Sequence, residues 1–116
     1  MLPKTGRFLP GGGMPPERRY AAAIAVALSA ELGDTHRAVK TVMRWTGASE
    51  RTVKNWFAGT TGPNGEHLIE VVRHSDAAFD TIMLLAGRKE VVAARKLADA
   101  RETLVAMLEL VVDLTA

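Results

Sequence analysis

VKTVMRWTGASERTVKNWFAG, running from Val39 to Gly59, carries more structural information than any other part of the chain. Ala38, Val39, Val42, Met43 and Trp45 recur at three- and four-residue spacings, so a helix capped at Asp34-Thr35 buries that face until about Thr46. Gly47 ends it, because only glycine takes a left-handed turn without steric cost. Ser49 is the next N-cap. The short helix that follows turns Val53, Trp56 and Phe57 inward and stops at Gly59, where Gly59-Thr60-Thr61-Gly62-Pro63-Asn64-Gly65 forms a loop.

Working outward, Pro16-Glu17 opens a helix that runs to about Leu32 and is stopped by Gly33, with proline and an acidic residue where a helix start favours them. Beyond the loop, Glu66 opens a fourth helix carrying Leu68, Ile69, Val71 and Val72 to about His74. Ser75-Asp76 caps a fifth, whose Phe79, Ile82, Met83 and Ala86 share a face before Gly87. No glycine or proline interrupts Arg88 to Leu114, which predicts one final helix about 40 Å long at 1.5 Å per residue. The expected fold is therefore all-α: five helices followed by a long C-terminal one. We divide it into a Gly/Pro-rich disordered tail (residues 1–16), a domain over residues 17–87 and the long helix over 88–114.

Composition narrows the function. The 116 residues lack cysteine, which excludes disulfides, thiolate metal sites and a cysteine nucleophile. Arg18-Arg19 ahead of Ala21 to Ala30 imitates a secretory signal, but the run is chiefly alanine and an amphipathic domain follows at once, so we expect a cytoplasmic protein. No apolar run reaches the roughly 18 residues that span a bilayer, and no membrane partner is expected. His67 and His74 are seven apart, His36 lies elsewhere, and no zinc spacing results. Glu66 and Glu70 are a surface i, i+4 pair, and Gly11-Gly12-Gly13 precedes no phosphate-loop Lys-Ser/Thr. We expect no enzyme activity, cofactor, metal or small-molecule ligand.

Charge is unevenly spread although the total is only +2. Residues 1–60 hold nine Lys or Arg against four acids, a net of +5, while residues 61–116 hold six against nine, a net of −3. The first half has the sign of a surface that meets phosphate.

The stretch from Val39 to Gly59 resembles the helix-turn-helix of the Cro and phage-repressor (Xre-like) family. The family's turn glycine, capping serine, inward β-branched residue, following tryptophan and closing glycine match Gly47, Ser49, Val53, Trp56 and Gly59. Met43 and Ala48 depart from it, standing where the family has a small residue and a larger apolar one. The resemblance implies a five-helix DNA-binding domain whose recognition helix, residues 49–58, enters the major groove of double-stranded DNA. Its outward residues Glu50, Arg51, Lys54 and Asn55 have the donors and acceptors that read base edges. Arg37, Lys40, Arg44, Ser49, Thr52 and Thr60 would meet phosphates and set the register.

In the last helix Ala93, Leu97, Ala100, Leu104, Met107, Val111 and Leu114 alternate spacings of four and three, a heptad seam. Nine of the eleven residues from Leu104 to Leu114 are apolar, more than one face of a monomeric helix hides. We expect this helix to pack on its own domain and on a partner, Leu97, Leu104, Met107, Val111 and Leu114 forming a homodimer seam. The sequence thus points to a dimeric DNA-binding transcriptional regulator, a repressor by its resemblance and of prophage or mobile-element type. The alternative is a protein–protein adaptor or antiactivator that keeps the fold and works through its long helix.

Overall fold

The computed structural model describes residues 15–116, and these form six α-helices with no strand among them: α1 (Pro16–Leu32), α2 (His36–Thr46), α3 (Glu50–Ala58), α4 (Gly65–His74), α5 (Asp76–Leu85) and α6 (Lys89–Thr115). The glycine-rich segment that the sequence suggests is a tail lies outside the described residues except for Pro15 and Pro16, as do its basic residues Lys4 and Arg7. The chain divides into two compact units, one ending at Ile82 and one comprising Met83–Ala116, so the division falls within α5 rather than at Gly87.

In the first unit the core takes one or two side chains from each helix: Ile24 and Leu28 of α1, Val39 and Val42 of α2, Val53 and Trp56 of α3, Val71 of α4 and Ala78 of α5. These side chains shed most or all of their water, which for those the size of valine or larger stabilises the fold by about 1.5–3 kcal/mol each before the entropy of ordering them is counted. Ala21, Ala27 and Ala38 are buried too, with side chains small enough for backbones to approach. Met43 and Ala48, the two departures from the phage-repressor pattern, are partly buried against this core alongside Trp45 and Phe57. Ile69 and Ala86, by contrast, are exposed, so α4 and α5 bury narrower faces than their apolar composition suggests.

Local signals account for the boundaries. Thr35 caps α2 through its hydroxyl, 3.2 Å from the Ala38 amide. The loop's Asn64 caps α4 through its side-chain Oδ1, which accepts from the His67 amide at 3.1 Å, and α4 starts one residue earlier than Glu66.

Two contacts between distant parts of the sequence complete the first unit. At the end of α1, Glu31 accepts from the Ser75 hydroxyl at 2.9 Å and from the Ala77 amide at 3.0 Å. Ser75 is 1% exposed and its hydroxyl also accepts from the Ala78 amide, so one buried oxygen both caps α5 and ties it to α1. The Tyr20 hydroxyl donates to the Pro63 carbonyl at 2.6 Å, which anchors the α3–α4 loop on α1. Gly62 lies close to the Tyr20 ring, where any Cβ would collide with ring carbons.

In the second unit α6 runs 27 residues without a break. Val92 is buried, Val91 and Arg95 are half-buried, and every other residue from Ala93 to Ala116 is exposed. The proposed seam residues Leu97, Leu104, Met107, Val111 and Leu114 are between 54% and 78% exposed. No helix among the described residues is long and apolar enough to cross a membrane.

Candidate nucleic-acid interface

The turn between α2 and α3 is built as its residues demand. Gly47 adopts φ 78° and ψ 4°, the left-handed region, and its amide closes α2 on the Met43 carbonyl. Thr46 reinforces the turn: its hydroxyl donates to the Val42 carbonyl at 2.9 Å and accepts from the Ala48 amide at 3.1 Å. Ser49 then caps α3, accepting from the Thr52 amide at 3.2 Å and donating to the Thr52 hydroxyl at 2.9 Å. Val53 and Trp56 are 0% and 2% exposed, so two anchors on one side of α3 fix which face looks outward.

That outward face carries Glu50, Arg51, Lys54 and Asn55, which together line one shallow surface hollow. Glu50 is its electrostatic centre. Its carboxylate lies 2.8 Å from the Lys54 ammonium one turn along α3 and 3.6 Å from the Lys40 ammonium on α2. The hydrogen bond from Lys54, then the charges of Lys54, Lys40 and His36, hold the Glu50 carboxyl below the usual carboxylate range. This places a candidate base-reading acid and two candidate DNA-binding lysines in one cluster that bridges α2 and α3.

The other cations on this side are less encumbered. Arg51 is exposed and has neither ion pair nor side-chain hydrogen bond among the described residues, and the Arg37 guanidinium is likewise unpaired. Arg44 only donates to the Thr41 hydroxyl, at 3.4 Å. The exposed Thr60 has its amide engaged with the Asn55 carbonyl at 3.0 Å, leaving its hydroxyl for an outside partner. The structure thus joins Lys40, Glu50 and Lys54 directly and sets Arg51 and Asn55 beside them. Among the described residues Arg37 and Arg44 make no ion pair or hydrogen bond with that cluster, and Thr60 meets it only through its amide's bond to the Asn55 carbonyl. Ser49 and Thr52 are committed to each other in the cap.

Two features away from that face escape sequence reasoning. His67 and His74, seven residues apart on α4, each lie against an indole: His67 on Trp56 with ring centroids 5.4 Å apart, and His74 on Trp45 at 5.2 Å with ring planes 9° from parallel. Their spacing announces a shared face, but nothing local names the tryptophans as what that face meets. The second is a surface hollow lined by Pro15, Glu17, Arg18, Tyr20, Thr60, Thr61 and Gly62, which sets Arg18 of α1 near the loop that follows α3. The Tyr20 phenol is pushed above its ordinary pKa by burial.

No protein-family model matches the chain, and no curated protein or solved structure is significantly similar to it.

Proposed function

We propose that this chain is a sequence-specific DNA-binding transcriptional regulator of helix-turn-helix type, acting as a homodimer and repressing by occluding its operator. The observation that carries this reading is the α2–turn–α3 unit. Gly47 and Ser49 set the turn, Val53 and Trp56 anchor α3, and Arg51, Lys54 and Asn55 stand on a face that serves no core. Arg51 and Lys54 are donors suited to guanine O6 and N7, and Asn55 can pair bidentately with adenine. Arg37, Lys40 and Arg44 on α2 have the charge and exposure to hold the flanking phosphates.

The test is fluorescence anisotropy of the purified protein on short duplex DNA over a salt series. Four phosphate contacts per protomer predict a log–log slope near −7 for a dimer, at about −0.9 per contact. Absence of binding to any genomic fragment at low salt would overturn the proposal. One observation favours the second reading, a protein–protein adaptor: α6 exposes nine large apolar side chains between Leu97 and Leu114. Under that reading the protein captures a partner through α6 and ignores DNA.

A further inference from the structure

We infer that two copies of this chain pair through α6 in antiparallel orientation, with Leu97 of one copy opposite Leu114 of the other. The inference rests on the homodimer part of the proposed function but not on DNA binding. It starts from the heptad positions. Leu97, Leu104 and Val111 occupy one core position of the repeat, and Ala93, Ala100, Met107 and Leu114 the other. Leu108 and Leu110 flank them, and the seven large residues of this strip are between 54% and 78% exposed.

The area suits a second copy. A Leu-sized side chain carries on the order of 100 Å² of apolar surface, so these exposures leave roughly 400 Å² uncovered per copy. An ordinary homodimer interface of about 800 Å² per partner is about 65% apolar and needs roughly 500 Å². The alanines of the seam and the aliphatic stems of Lys96 and Arg101 supply the difference. Glu102, Glu109 and Asp113 lie on the opposite side of the helix, and this acidic back would be repelled by an anionic lipid surface.

Charge then selects the direction. From Lys89 to Arg101 the helix has a net charge of +2, and from Glu102 to Thr115 a net of −3. In the register that sets Leu97 opposite Leu114, residues 95–101, net +2, lie along residues 110–116 of the other copy, net −1, and the two helix dipoles oppose, whereas parallel copies lay each of these segments along its like. The flanking positions agree. A parallel in-register pair sets Lys96 of each copy against Arg101 of the other, two like-charge contacts at the rim that fixes orientation. The antiparallel pair sets Arg101 against Leu108 instead, where its stem can cover the leucine.

Volume points the same way. The seam is thin at its start, where Ala93 and Ala100 sit, and thick from Leu104 onward. Parallel pairing matches alanine with alanine and leaves a gap, while the antiparallel register sets Ala100 against Val111 and Leu104 against Met107, so that the layers from Leu97 to Leu114 are filled.

The absence of cysteine makes the test clean. Full-length Leu97→Cys and Leu114→Cys variants are prepared, one lengthened by a tag, and oxidised separately and as a refolded mixture. Antiparallel pairing predicts a mixed disulfide in the mixture, several-fold more abundant than the product of either variant alone. Self-linked products from each variant alone would show parallel pairing and overturn the inference. A dimer by sedimentation that yields no disulfide would overturn this register. A wild-type monomer at tens of micromolar would overturn the homodimer with it, leaving DNA binding to be judged by its own titration. Arg101→Glu guards against cysteine variants that fail to fold, because in a parallel dimer it converts two repulsions into ion pairs with Lys96. A tighter dimer for that variant overturns the inference, and unchanged or weaker dimerisation supports it.

Discussion

Replacing Glu50 with Gln alters one charge at the point where α2 and α3 are joined. The carboxylate holds Lys54 at 2.8 Å and Lys40 at 3.6 Å, so in the native chain two of the cations assigned to DNA are answered within the protein. Gln preserves the size of the side chain and raises the net charge from +2 to +3. If both lysines then turn to phosphate, the log–log salt slope steepens by about 1.8 per protomer, and by about 0.9 if only one does. Over a fourfold rise in salt the larger change is a further loss of roughly tenfold in affinity per protomer, starting from tighter binding at low salt. The assay is anisotropy on a random-sequence duplex at several salt concentrations, the two proteins measured side by side. Coincident curves would refute the reasoning, for they would mean that neither lysine faces a phosphate. The same variant has a signature in acid. A carboxyl held below its unfolded pKa stabilises the fold above that value and loses the contribution as pH falls through its folded one, so Glu50→Gln lacks this part of the acid limb.

Arg51→Ala and Asn55→Ala are each expected to cost about 1–3 kcal/mol on a specific site while leaving thermal stability nearly unchanged. Trp56→Ala is expected to lose about 3–5 kcal/mol of stability by calorimetry, and the opposite pattern would mean that α3 faces the other way. Leu104→Asp with Val111→Asp is expected to turn a dimer into a monomer in sedimentation with helix content retained, because an unpaired carboxylate in the seam is costly. Tyr20→Phe removes the bond to the Pro63 carbonyl and is expected to cost about 1 kcal/mol at neutral pH. A phenol whose folded pKa is raised stabilises the fold below its unfolded value near 10 and loses that as pH climbs through the folded one, so this variant also shows a shallower alkaline decline in denaturation midpoint.

The helices were legible because glycine, proline and capping residues punctuate them. Gly33, Gly47, Gly59 and Gly87 all take positive φ at helix ends, and Thr35 and Ser49 cap the helices that follow, whereas the cap at Asn64 is hidden in the sequence by the turn-forming residues around it. The outward face of α3 was legible for the related reason that Val53 and Trp56, three apart, leave little choice about which side is buried. What pairs across long separations was not. The link from Glu31 to Ser75 spans 44 residues, and that from Tyr20 to Pro63 spans 43. No periodicity encodes either one. At Glu50 both cases meet: the i, i+4 partner Lys54 can be read from the sequence, whereas Lys40 becomes a neighbour only once α2 is folded against α3.

The anchoring of α3 by Val53 and Trp56 also bears on how such a protein changes over generations. Of the nine residues of α3, these two alone are buried, so the fold constrains little of what the outward side chains must be. Arg51, Lys54 and Asn55 are open to replacement without a stability threshold to cross, and a lineage can exchange one set for another while the scaffold stands still. Glu50 is the exception, since a change there redistributes two lysines at once. Gradual drift at three positions, interrupted by an abrupt shift at the fourth, is the pattern of divergence that this geometry allows.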